Sequence, residues 1–175
     1  SGYFLRRLRR HELLAADDAA GVSVCTRADR DWFMANGGLP DERFCIVPNG
    51  YDPGRIARPD EETRQRVSNQ LGLTADEKIA LFIGSDQPPN RRAVDDLLGR
   101  VMPRLSENVR LVIVGRVGER FTDVRDKRIR ITGGVDDVLP WLQAADVGLN
   151  PVCEGSGSNV KLVEYAAAGL PVVTT

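Results

Sequence analysis

At 175 residues the chain can build one good hydrophobic core, or one domain and part of another. Its 24 Lys+Arg balance 25 Asp+Glu, so net charge gives no support to nucleic acid as the partner. The N-terminus has no apolar leader region, and no apolar run approaches the roughly 20 residues of a membrane span. Cys25, Cys45 and Cys153 have no paired spacing. Cys25 and Cys45 lie in apolar, strand-like runs and read as buried thiols, which suits a reducing cytosol. Arginine dominates the basic residues and alanine the helices, a composition expected of a GC-rich bacterial source.

In chain order, residues 3–19 predict a helix with Phe4, Leu8 and Ala15 roughly on one face. Its run Arg6-Arg7-Leu8-Arg9-Arg10 is expected to be a solvated face or to be attracted to anionic lipid. Without interleaved aromatics it does not read as a nucleic-acid module. Val22–Thr26 reads as a strand, Arg27–Asn36 as a helix, and Gly37-Gly38 as its stop. Phe44–Pro48 is a second short strand, ending in Asn49-Gly50-Tyr51-Asp52-Pro53, a turn cluster where Asn and Gly tolerate positive φ. The polar stretch from Pro53 to Asp60 is the expected domain boundary, and a charged helix follows over 61–71.

Beyond it the pattern becomes regular. Lys78–Gly84 is an apolar strand and 91–105 an amphipathic helix with Val94, Leu97, Leu98, Val101, Met102 and Leu105 on one side. Val109–Gly115 and Arg128–Thr132 are strands, and 137–145 is a helix capped by Asp136 or Asp137, with Pro140 in or beside its first turn. Val147–Pro151 is a strand, 159–168 a helix closed by Gly169, and Pro171–Thr175 a last strand. Buried strands alternating with helices predict an α/β, Rossmann-like, doubly wound parallel sheet with helices on both faces. Ligands in such sheets bind beyond the carboxyl ends of the strands, where Gly84-Ser85, Gly115, Gly133-Gly134 and Gly155–Gly157 fall. The last strand has no helix after it, so the chain reads as truncated.

The stretch from Cys153 to Val173 carries the chemistry. A loop of small residues precedes a helix whose positive end favours phosphate, and a carboxylate further along can accept from ribose hydroxyls. A P-loop is excluded, because Val160, Lys161 and Leu162 stand where Gly, Lys and Ser or Thr are required. Gly-x-Gly-x-x-Gly and Gly-x-Ser-x-Gly are also absent. The single histidine, His11, lies in the arginine-rich helix with no nucleophile near it in sequence.

Residues Gly155 to Val173 resemble the donor-binding signature of retaining GT-B glycosyltransferases, especially glycosyltransferase family four. Leu111–Gly115 is similar to that family's second C-domain strand. Ile131-Thr132-Gly133-Gly134-Val135-Asp136-Asp137 with Leu142-Gln143-Ala144-Ala145-Asp146-Val147 is similar to a further segment of it. Val22–Asp29 and Ile46-Val47-Pro48-Asn49-Gly50-Tyr51-Asp52 look like the end of its acceptor domain. The resemblance implies that the base of a nucleotide sugar lies against the backbone near Val135 and the ribose on Glu164. It puts the diphosphate over the Gly/Ser loop and the next helix, with Lys161 as supplementary charge. The implied donor-binding set is Gly84, Ser85, Val135, Gly155, Ser156, Gly157, Ser158, Asn159, Lys161 and Glu164, with no cofactor and no metal. No catalytic residue is assigned. The family's paired glutamate falls on Ser156, and its Gly-Arg and following lysine are replaced at Gly84-Ser85, with Arg91 and Arg92 the nearest charges. Lys161 and Glu164 could instead form an ordinary i,i+3 ion pair.

The expected organisation is therefore 1–53 as a remnant of an acceptor-side domain containing a βαβ unit, 54–74 as linker and helix, and 75–175 as the nucleotide-sugar domain. The expected function is that of part of a retaining glycosyltransferase moving a sugar from an NDP-sugar to a glycan or lipid-linked acceptor. An NDP-sugar epimerase of the same architecture and a non-catalytic nucleotide-binding module are the alternatives. Expected partners are the nucleotide-sugar donor, the acceptor, a peripheral membrane contact and a second copy paired through the truncated edge. The expected location is the cytoplasm, at the inner membrane surface, in cell-envelope polysaccharide synthesis.

Overall fold

The computed structural model describes residues 2–56, 61–153 and 159–175. The chain divides into two compact units, one built on residues up to Gly50 and one from Tyr51 onward. The first holds α1 (Gly2–Asp18), β1 (Val22–Val24), α2 (Arg27–Gly37) and β2 (Phe44–Ile46). β1 and β2 pair in parallel, Val22 opposite Phe44, and form a sheet of their own. α2 starts where the Thr26 hydroxyl accepts the Asp29 N–H at 3.0 Å and stops at Gly38, whose φ of 68° a β-carbon would disfavour. The Arg43 guanidinium donates to the carbonyls of Ala16, Asp17 and Ala19, a cation on the open end of α1. Phe4, Leu5, Leu8 and Leu14 of α1 are exposed. One expectation fails here. Cys45 is exposed and Cys25 only half-buried, its thiol 3.7 Å from Asn49 Oδ1, because such short strands have a partner on one edge and little above them. Gly50 does not take a positive φ, so the turn after β2 does not use that freedom.

The second unit contains α3 (Glu61–Leu71), β3 (Lys78–Ile83), α4 (Pro88–Asp96), β4 (Val109–Val114), β5 (Ile129–Gly133), α5 (Leu139–Ala144), β6 (Val147–Asn150), α6 (Val160–Ala167) and β7 (Val172–Thr174). The strands form one parallel sheet in the order β5-β4-β3-β6-β7. The chain reverses its direction of winding between β3 and β6, which makes that gap the switch point of the fold.

The unbroken apolar runs in β3 and β4 supply both faces. Ile79, Leu81, Val112 and Val114 pack with Val67 of α3, Leu142 of α5 and Tyr165 of α6. Ala80, Phe82, Leu111 and Ile113 face the other way, against Ala93, Val94, Leu97 and Met102. Each fully buried large side chain contributes roughly 1.5–3 kcal/mol of transfer free energy. Asp146, just before β6, ties the bottom of the sheet together. It accepts the Ile79 N–H at 2.8 Å and the Arg64 guanidinium at 2.7 Å.

The helix expected over 91–105 starts three residues earlier and is not uniform. After α4 comes a π segment, Leu97–Val101, in which the Met102 N–H reaches back to Leu97 O, and then a 3-10 turn, Met102–Arg104. Pro103 has no N–H for an α-type bond, so the ladder cannot run through it. The helix expected over 137–145 is shorter, Leu139–Ala144, with Pro140 in its first turn. Asp137 accepts the Leu139 N–H at 3.0 Å, a turn ahead of the helix. Among the described residues no helix is long and apolar enough to cross a membrane.

Candidate functional site

Glycine backbone brings the carboxyl ends of β3, β4 and β5 together. The Gly84 N–H donates to Val114 O, and the Gly115 N–H to Gly133 O. A β-carbon on Gly115, whose φ is 106°, would stand 2.3 Å from Gly84 O, so only glycine allows this approach. Across the switch point β3 and β6 pair only as far as Leu81 and Gly148. Beyond that the fully buried Tyr165 hydroxyl enters, accepting the Ile83 N–H at 3.0 Å and lying 3.4 Å from both Leu81 O and Leu149 O. It takes over the polar groups that the parting strands leave behind, at the end of the sheet where doubly wound folds hold their ligands.

Two helices begin at this end of the sheet, and their first turns differ. α4 opens on Pro88 and Pro89, which lack N–H groups to offer. α6 opens on Val160 after Asn159, with no side-chain cap and no acidic residue in its first turn. The Leu162 N–H already bonds Asn159 O, while the positive end of the helix and the amides of Val160 and Lys161 ahead of it suit an anion.

Lys161 lies in that first turn, half-buried. Its Nζ donates to Asn90 Oδ1 at 2.8 Å and stands 4.4 Å from the centre of the Phe82 ring. Burial lowers its pKa to about 8. Glu164, three residues on, is half-buried, and its carboxylate accepts no hydrogen bond among the described residues. Desolvation raises its pKa and the Arg55 charge partly offsets this. Arg55 itself stands 3.7 Å from Asp137. The i,i+3 ion pair allowed by sequence does not form, since Lys161 turns to Asn90 and Glu164 faces Arg55.

Ser85 is exposed, and its carbonyl accepts from Asn90 Nδ2 at 3.0 Å. Val135 packs against the same cluster as Tyr165 and Leu162, after the turn at Gly133. The Glu119 carboxylate accepts the Gly134 N–H at 3.2 Å and braces that turn. Gly155, Ser156, Gly157 and Ser158 lie outside the described residues. Arg91 does not project as a free cation. With Arg120 it is held by Asp86, Arg91 Nε at 2.6 Å and Arg120 Nε at 2.9 Å, and the Asp86 pKa is lowered chiefly by Arg91 and then by Arg120. Asn90, Asp86 and Tyr165 were missed by sequence reasoning. Asn90 and Asp86 are ordinary polar residues beside a helix start, and Tyr165 falls on a core-facing position. Among the described residues no group of three or more His, Cys, Asp or Glu could hold a metal ion.

A five-stranded parallel sheet with helices on both faces, split between β3 and β6 under an uncapped helix start, defines a Rossmann-like domain of the GT-B type. The chain belongs to the glycosyl transferases group 1 family, whose model matches residues 77–175. It is 29% identical over 184 residues to a D-inositol 3-phosphate glycosyltransferase of Xylanimonas cellulosilytica, covering 96% of this chain and 43% of that protein. Its fold is similar to that of Anabaena HepE, solved in complex with UDP-glucose, with a TM-score of 0.79 at 18% identity over 94% of this chain and 47% of that one. It is also similar to WaaG, a glycosyltransferase involved in lipopolysaccharide biosynthesis, with a TM-score of 0.72 at 26% identity over 87% of this chain and 43% of that one. The chain spans less than half the length of each of these proteins.

Proposed function

We propose that this chain carries the donor-binding part of a retaining hexosyltransferase, which moves a sugar from a nucleoside-diphosphate sugar to a glycan or lipid-linked acceptor. The observation that carries the reading is the state of Lys161 and Glu164. They stand three residues apart on α6 with opposite charges, yet neither neutralises the other. Half-buried charges are costly unless something else uses them. A diphosphate against Lys161 and the first amides of α6, with ribose hydroxyls donating to Glu164, would use both.

In this scheme the base lies against the backbone of Val135, with Gly84 and Ser85 facing the phosphates and Gly155, Ser156, Gly157, Ser158 and Asn159 completing the cradle. As the glycosidic bond breaks, negative charge grows on the departing diphosphate. Lys161 and the α6 amides, fixed beforehand, stabilise that growth more than they stabilise the intact donor. UDP-glucose is the first donor to test, given the UDP-glucose bound by HepE. The arginines of α1 and its exposed Phe4, Leu5 and Leu8 suit contact with an anionic membrane surface, and hence a lipid-linked acceptor of the bacterial cell envelope met on the cytoplasmic side. The exposed Val173 on edge strand β7 suits further pairing, within the protein or with a second copy.

The test is thermal unfolding of the full-length protein with UDP-, GDP- and ADP-sugars. One of them at about 100 times its Kd should stabilise by about 2.7 kcal/mol. No shift with any donor would overturn the reading, and stabilisation without transfer to any acceptor would leave a nucleotide-binding module.

A further inference from the structure

Resting on that reading, we infer that Asn90 is a positioning residue for the donor diphosphate: it aims the Lys161 ammonium at the carboxyl end of β3 without neutralising it. Three other basic groups near these loops are differently placed, and Arg55 stands by Asp137. Arg91 and Arg120 are committed to Asp86, and Arg116 is exposed beyond β4. Lys161 comes from the far side of the switch point and is half-buried. Among the described residues its fixed contacts are one amide oxygen and one aromatic face, both uncharged.

The Asn90 amide is the one common side-chain group of this size that fits both of its contacts. Nδ2 donates to Ser85 O at 3.0 Å, which must accept, and Oδ1 accepts from Lys161 Nζ at 2.8 Å, which must donate. The two partners therefore set the amide's orientation. Asn90 joins the loop after β3 to the first turn of α6, and so couples the two walls that a diphosphate would touch. A carboxylate here would hold the lysine equally well but would cancel the charge and lose the bond to Ser85. The Phe82 ring attracts the ammonium through its π face and also leaves the charge available. The lowered Lys161 pKa fits a desolvated ammonium with no counter-ion among the described residues.

Asn90→Asp and Asn90→Ala therefore separate positioning from mere packing. A purely structural Asn90 predicts that Asn90→Ala costs stability but leaves diphosphate affinity unchanged, because Lys161 keeps its charge. A positioning Asn90 predicts unchanged or raised thermal stability in Asn90→Asp together with at least a tenfold weaker affinity for the nucleoside diphosphate. Affinity for the matching nucleoside should stay within twofold. The measurement is calorimetric titration of the full-length wild type and both variants with UDP, GDP and ADP and their nucleosides. Asn90→Ala should also lose about tenfold in diphosphate affinity. If it fails to fold, Asn90→Ser, which keeps a small uncharged side chain, takes its place in the titration. Wild-type diphosphate affinity in any of these variants would overturn the inference while leaving the donor reading intact. If no nucleoside diphosphate binds the wild type, both fall.

Discussion

Lys161 shows how a side chain can oppose the stability of its own domain. Burial lowers its pKa to about 8, so between that value and a lysine's ordinary value the unfolded chain holds more protons than the folded one. Stability then rises with pH across this interval, the reverse of a lysine that gains a carboxylate partner. Among the described residues the groups packed on its Nζ are Asn90 and Phe82, neither of which titrates in this range. Lys161→Met should stabilise the ligand-free protein at pH 7 by about 1–2 kcal/mol, discounted because the side chain keeps contact with water. The same variant should bind the nucleoside diphosphate about 10–100-fold more weakly, since a charge-assisted contact is worth about 1.5–3 kcal/mol. Denaturant unfolding at pH 7 and pH 10 checks the first part: the gain should shrink at pH 10. An equal gain at both values would mean that Lys161 is not desolvated.

The switch point between β3 and β6 depends on an element-scale fit of α6 against both strands. A β-carbon on Gly148 would stand 2.6 Å from the Tyr165 ring, and the Tyr165 hydroxyl serves the Ile83 N–H. Tyr165→Phe leaves that buried N–H without a partner and should cost about 1–3 kcal/mol, with the fold kept. Gly148→Ala must displace a fully buried ring and should cost more than Tyr165→Phe in the same urea titration, a ranking that fails if the ring can tilt freely. The strands themselves were legible, because residues such as Ile79–Phe82 and Leu111–Val114 are apolar on both faces and have one way to be buried. The break-up of the helix after Asp96 was less legible, since it depends on how Pro103 and the core share one turn. The contacts of the site were legible only in part. Lys161 and Glu164 stood out by their place after a small-residue loop, but the choice of Asn90 over Glu164 as lysine's partner joins residues 71 apart in sequence and is set by tertiary packing.

Across the whole molecule, the acid side of the stability curve is set by carboxylates that the fold uses as acceptors. Asp86 is held by Arg91 and Arg120, Asp126 by Arg128, Asp76 by the Thr74 hydroxyl, and Glu77 by the Thr74 N–H and by Arg110, all with lowered pKa values. For each, the folded form releases its proton at lower pH than the unfolded form. Its contribution is therefore complete above the ordinary carboxylate range and is lost as pH falls through the lowered folded value. Glu164 runs the other way, because desolvation raises its pKa and protonation relieves a buried charge. Among the described residues the lowered carboxylates outnumber Glu164 by four to one, so Tm should fall steadily as pH drops from about 5 to 3. Glu164→Gln should raise Tm at pH 7 and leave the midpoint of the acid loss in place, while Asp86→Asn should lower Tm at pH 7 and flatten part of that loss. Calorimetric scans of the three proteins through this range test the assignment. If Asp86→Asn keeps the full acid slope, the guanidinium pair around Asp86 is not what the fold loses first in acid.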